Sequence, residues 1–262
     1  MRALCLVLLL WLPNWAAAQS ASDFERALRL PELAAILAEE AARTGADVDA
    51  DLLNGQGGSV FAAQIAQIND PGRLSQQIAD ILAGALTAET ARAILAFTNS
   101  EQAQAAVALE LSARQAFLDP DVEEFARSSA EASPSRDLVD RLIAAGDMVG
   151  KNRETARLTT AAFYRGLREG GAVDLSDAAI DQLAGEQASG MDEDTRAWLA
   201  GFFTLAYSPL DRAELEVLTA FWESDVGLAF SDALFEAFDT AYAERWFAMG
   251  RAAALFLSSE DI

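Results

Sequence analysis

After Ser22, nearly every stretch of the chain reads as amphipathic helix set between a capping residue and a stop. This punctuation constrains the fold more than any other feature. Alanine, the strongest helix former, fills 56 of the 262 positions, against 16 glycines and 6 prolines, which argues against a loop-rich β protein. The spacing predicts a first helix over 23–30 from Asp23, and a second from Pro31 to a stop at Gly45, with 46–58 irregular. Helices follow at 59–68 and 72–84, divided by Asn69-Asp70-Pro71, then at 87–98 and 100–118. Asp119-Pro120 opens another to about Ala132, and Ser133-Pro134-Ser135 marks a boundary. Beyond it come 136–145, 147–169, 176–188 and 192–207, broken at Gly146, Gly170-Gly171 and Gly190. Asp211 and Glu214 form a capping box. Ser224 caps a long C-terminal helix whose stripe runs Phe230, Leu234, Phe238, Tyr242, Trp246, Met249, Ala253 and Phe256. The fold class is all-α.

The pattern recurs within the chain. Ala96-Phe97-x-x-Ser100 aligns with Ala220-Phe221-x-x-Ser224 at an offset of 124, which also pairs Leu86 with Leu210, Ala106 with Phe230 and Ala113 with Ala237. Upstream, Glu25-Arg26-x-Leu28 parallels Asp140-Arg141-x-Ile143, and Glu32-Leu33 parallels Asp147-Met148, at an offset of 115. We therefore expect a helical bundle of two divergent copies, 19–132 and 133–262, each ending in a helix, a tight Phe-to-Ser corner and a second helix. Of twenty aromatics after residue 18, five precede residue 133 and fifteen follow it. The second copy is thus expected to hold the bulky core, and the first to pack with Ala, Leu and Ile.

Residues 1–18 place Arg2 before an apolar run from Ala3 to Leu12, then Pro13 and the small residues Ala16, Ala17 and Ala18. This is the order of a secretory signal peptide, with cleavage expected between Ala18 and Gln19 and the periplasm as destination. The apolar run is about half the ~20 residues a membrane span needs. The mature chain is expected to have no span. Cys5, the only cysteine, lies in the leader, and there is no histidine. These absences exclude disulfides, thiol nucleophiles and His-based catalysis or metal ligation from the mature chain. With 19 Lys+Arg against 41 Asp+Glu the net charge is −22. Such a field repels phosphate backbones, so nucleic acid is not an expected partner, whereas a basic protein partner is.

The stretch Leu210–Gly227, LDRAELEVLTAFWESDVG, resembles the signature of an exported bacterial family catalogued as domain of unknown function 2059. The matching positions are Glu214-Leu215, Phe221, Ser224 and Gly227. The first copy keeps Phe97 and Ser100 but has Ala103 in place of the glycine, and is the degenerate one. The resemblance is good over about 190–250 and implies an all-helical secreted protein; it brings no activity or catalytic residue.

Candidate chemistry is sparse. Asp47, Asp49 and Asp51 alternate in a Gly-containing stretch, as carboxylates do in the first half of a Ca²⁺ loop. An EF-hand would need glycine at Leu52 and glutamate at Gly58, which leaves a noncanonical Ca²⁺ site using Asn54 or carbonyls, or a solvated acidic loop. Asp119, Asp121, Glu123 and Glu124 fit a helix cap and acidic first turn. Lys151, the only lysine, has Met148 and not serine three residues before it, and is expected on an exposed helix face rather than in a Ser–Lys dyad. The glycines at 55, 57 and 58 lack the flanking strand and Lys-Ser/Thr of a phosphate loop. The apolar tail, with Trp246, Phe247, Met249, Leu255 and Phe256, is expected either to cover the other copy or to form a partner surface.

The resulting expectation is a non-catalytic interaction or envelope-maintenance protein. A carboxylate-based cell-wall hydrolase and an apolar-ligand carrier are the alternatives. The hydrolase calls for a pocket with two inward-facing acids, one desolvated, and the carrier for a closed cavity lined by aromatics of residues 198–256.

Overall fold

The computed structural model describes residues 13–257. The apolar run from Ala3 to Leu12, with Cys5, and the tail 258–262 lie outside the described residues. The elements are α1 (Pro13–Ala27), α2 (Leu30–Asp51), α3 (Gly58–Ile68), α4 (Pro71–Ala85), α5 (Ala88–Thr98), α6 (Glu101–Ala116), α7 (Pro120–Ser129), a 3-10 turn at Ala130–Ala132, α8 (Arg136–Ala145), α9 (Met148–Glu169), α10 (Asp177–Ala188), α11 (Asp192–Ala206), α12 (Arg212–Trp222) and α13 (Asp225–Leu257). There is no strand among the described residues, and no helix there is long and apolar enough to cross a membrane.

The expected caps do their work. Asp70, Thr87, Ser100, Asp119, Ser176 and Asp211 each accept a backbone N–H from the first turn of the following helix, filling donors that no carbonyl reaches. Two boundaries differ from expectation. α1 runs through Asp23, which pairs with Arg26 instead of capping, and the break falls at Leu28-Arg29, where Arg29 takes a left-handed φ of 51°. α2 does not stop at Gly45 but continues to Asp51. Gly45 is buried against Ile65, and a Cβ there would stand 2.9 Å from that side chain. The glycine admits α3; it does not end a helix.

Lengths recur in order. α1 to α6 have 15, 22, 11, 15, 11 and 16 residues, and α8 to α13 have 10, 22, 12, 15, 11 and 33. The residue before each 22-residue helix, Arg29 or Asp147, is left-handed and lacks a side-chain cap. These two are 118 positions apart.

Two main cores fill the molecule. One gathers Leu138, Leu142, Leu199, Phe203 and Leu215 from α8, α11 and α12, together with Ala106 and Ala113 of α6 and Ala126 of α7. The other gathers Phe24, Leu37, Ile78, Leu82 and Ile94 from α1, α2, α4 and α5, together with Phe230, Ala233, Ala237 and Ala241 of α13. The break at 133–135 is therefore a turn within packed structure, because α6 and α7 contribute to a core formed mostly by later helices. A third core joins Leu53, Phe61 and Ile65 to Leu167, Met249 and Ala253. Without disulfides these cores carry the stability, at roughly 1.5–3 kcal/mol for each fully buried large apolar side chain. The aromatics are shared more evenly than their positions suggest, since α13 sends Phe230, Phe238 and Tyr242 toward the core of α1–α5.

Along its C-terminal half α13 lies directly on α9. A Cβ at Gly250 would stand 2.1 Å from the Phe163 carbonyl oxygen, one at Gly166 2.2 Å from that of Phe247, and one at Gly170 2.3 Å from the Ala254 Cβ. Small residues on both helices let the backbones touch.

Candidate functional site

Asp47, Asp49 and Asp51 occupy the last turns of α2, not a loop. At 3.6 residues per turn, Asp47 and Asp51 share a face and Asp49 points away from it. The Asp49 carboxylate is already engaged: it accepts the N–H of Gly57 at 2.7 Å and of Gly58 at 2.9 Å, closing the turn into α3. The three carboxylates do not converge, and no group of three or more His, Cys, Asp or Glu among the described residues is placed to hold a metal ion. In the second acidic group, Asp119 accepts from the Asp121 N–H at 3.0 Å and Glu123 pairs with Arg127 at 3.1 Å, so capping and an ion pair engage these two carboxylates.

Lys151 is half-buried rather than exposed. Its Nζ donates to Ser231 Oγ at 2.9 Å, pairs with Asp232 at 2.6 Å and lies 5.2 Å from the Phe235 ring centre. A serine thus does meet the single lysine, from 80 residues away. Asp232 shares the same Nζ. Ser231 is also 2 % exposed within α13, and Gly146 packs on it so closely that a Cβ would stand 2.8 Å from its Oγ. The pair ties α9 to α13.

The signature residues build the corner between α12 and α13. Asp211 accepts from the Glu214 N–H at 2.9 Å, and Glu214 accepts from the Asp211 N–H at 2.8 Å. Leu215 is buried. Ser224 Oγ accepts the Gly227 N–H at 3.1 Å and donates to the Phe221 carbonyl at 2.6 Å. A Cβ on Gly227 would stand 2.0 Å from that same carbonyl oxygen, so the corner closes only around glycine. At the matching corner Ser100 accepts from the Ala103 N–H at a longer 3.3 Å. The rings of Phe97 and Phe221 stack on one another, with centroids 3.6 Å apart and planes 4° from parallel.

Much of the apolar tail packs inside the molecule. Met249 is buried, Trp246 packs edge-on against Phe163, Phe256 meets Phe61 edge-on, and Phe247 is half-buried. Of the five residues only Leu255 is exposed. α3 and α9 pack against the remainder.

One buried acid lies outside every motif of the sequence. Glu110 of α6 accepts the O–H of Tyr207 from α11. Burial pushes the Glu110 carboxyl up, and burial together with that carboxylate pushes Tyr207 well up. The sequence held a signal: Ala103, Ala106, Glu110, Ala113 and Phe117 step by three or four, which puts an acid inside an apolar stripe. One turn on, Arg114 grips Glu40 with two bonds of 2.7 Å and stands 5.7 Å from the Trp198 ring centre. Half-burial pushes Asp239 up while Thr155 donates to it, and burial pushes Tyr242 up to about 12. Arg245, buried in α13, donates to Gln77 and to the Ala241 carbonyl.

Two shallow open depressions mark the surface. One follows α7 along Pro120, Glu123, Glu124, Arg127 and Ser128. The other runs between α4 and α13 along Arg73, Gln77, Asp80, Thr240 and Glu244. The aromatics of 198–256 pack on one another, as Trp198 does on Phe202 and Trp222 on Phe230. Comparison of the chain with protein-family models, curated proteins and solved structures finds no match.

Proposed function

We propose that this chain is an exported, internally duplicated helical protein that acts in the cell envelope by binding a basic partner, not by catalysis. Its affinity to domain of unknown function 2059 belongs to the same proposal, and rests on the Glu214-to-Gly227 corner. Duplication is supported by the recurring order of helix lengths, by the left-handed Arg29 and Asp147, and by the two serine-capped corners. Export is supported by the leader's composition.

The observation that carries the binding reading is how the reactive groups are engaged. Glu110, Lys151, Ser231 and Asp239 each serve a contact between two helices. What the molecule offers its surroundings is a strongly acidic exterior. The test is crosslinking of the tagged chain inside the envelope, followed by binding of the purified pair across a salt series. The expected partner is basic, and its affinity falls at least tenfold between 50 and 500 mM salt, on the order expected for screened surface charge. Turnover of a cell-wall substrate by the purified chain, lost on replacing one carboxylate, would overturn the reading.

A further inference from the structure

We infer that the two halves are interlocked, each completing its core with the final helix of the other, so that the partner each half is built to bind is its sister. The inference rests on the duplication proposed above. α6 ends the first run of six helices, yet its Ala106 and Ala113 lie in the core of α8, α11 and α12. α13 ends the second run, yet its Phe230 and Ala237 lie in the core of α1, α2, α4 and α5. These are corresponding positions, 124 apart in both cases. The exchange is therefore reciprocal: α6 packs on α11, and α13 packs on α4.

The two corners from which these helices depart meet in the stacked rings of Phe97 and Phe221, where a two-fold axis relating the halves would pass. A polar clasp is present on one side of the exchange. Glu110 of α6 takes the Tyr207 O–H of α11, while the position matching Glu110 in α13 is Leu234, packed among apolar side chains. Neither half is closed alone. Without α13 the first would expose Phe24, Ile78 and Ile94; without α6 the second would expose Leu199 and Phe203.

The test cuts the chain where the halves join. A specific protease site replaces Ser133-Pro134-Ser135 in the full-length mature protein, which is folded first and cleaved afterwards. The expected product is a 1:1 complex of both fragments at the uncut protein's elution volume, parting only in denaturant. Fragments that elute separately as folded monomers would overturn the inference. A second measurement needs no cut. Ala237→Leu, which overfills α13 where it enters the first core, is expected to speed hydrogen exchange at least tenfold in α1, α4 and α5. Loss of protection in α8, α11 and α12 in their place would contradict the exchange. Neither result bears on the salt-dependent partner binding, so the two proposals fail separately.

Discussion

A buried acid held by a single hydroxyl makes Glu110 the residue with the clearest pH signature. Its folded pKa lies above the unfolded value of 4.5 because burial disfavours the charged form. Between those two values the folded protein binds the extra proton. The contribution is thus fully present below about pH 4.5 and is lost as pH rises through the folded pKa. Glu110→Gln keeps an acceptor for Tyr207 and removes the ionisation. Its melting temperature relative to the unaltered protein is expected to rise with pH above 4.5, and a pH-independent difference would refute the assignment. Tyr207→Phe strips the carboxylate of its donor and is expected to cost about 1–3 kcal/mol, measured by urea unfolding near pH 7. At the corner, Gly227→Ala sets a methyl against the Phe221 carbonyl oxygen and is expected to cost about 1–3 kcal/mol. Equal stability of variant and parent in the same denaturant series would show that the corner opens freely.

Helices and their joints were the most legible part of the sequence. Ser100, Asp119 and the Asp211–Glu214 box could be read locally because a cap and the backbone N–H that it accepts lie within three residues. Glycines were not legible in the same way. Gly146 and Gly190 do end helices, but Gly45 and Gly166 sit inside them because a distant element presses there. One residue type serves both purposes, and only the tertiary partner tells them apart. Asp47, Asp49 and Asp51 looked like a ligand loop because Gly45 looked like a stop. At the α9–α13 crossing, Gly250→Ala drives a methyl into the Phe163 carbonyl and must part the helices. The expected loss is about 1–3 kcal/mol or more in denaturant unfolding, whereas Gly185→Ala, inside α10 where a Cβ meets open space, is expected to gain up to about 1 kcal/mol.

At the scale of the whole molecule, these contacts stayed hidden because their members lie far apart along the chain. Glu110 and Tyr207 are 97 residues apart, and Lys151 and Ser231 are 80 apart, so no local motif announces either pair. Their use inside the molecule is consistent with a fold whose interior is given to joining helices and whose charge lies outside. Export carries its own expected outcome: the N-terminal residue of protein recovered from the periplasm is Gln19, read by mass spectrometry, and a retained leader would contradict it. The central structural claim is that two helical halves share their cores. Scanning calorimetry of the mature protein tests it most directly. Interlocked halves predict one transition whose calorimetric and van't Hoff enthalpies agree. Two resolved transitions, each with the enthalpy of half the chain, would show that the halves fold independently and that the account is wrong.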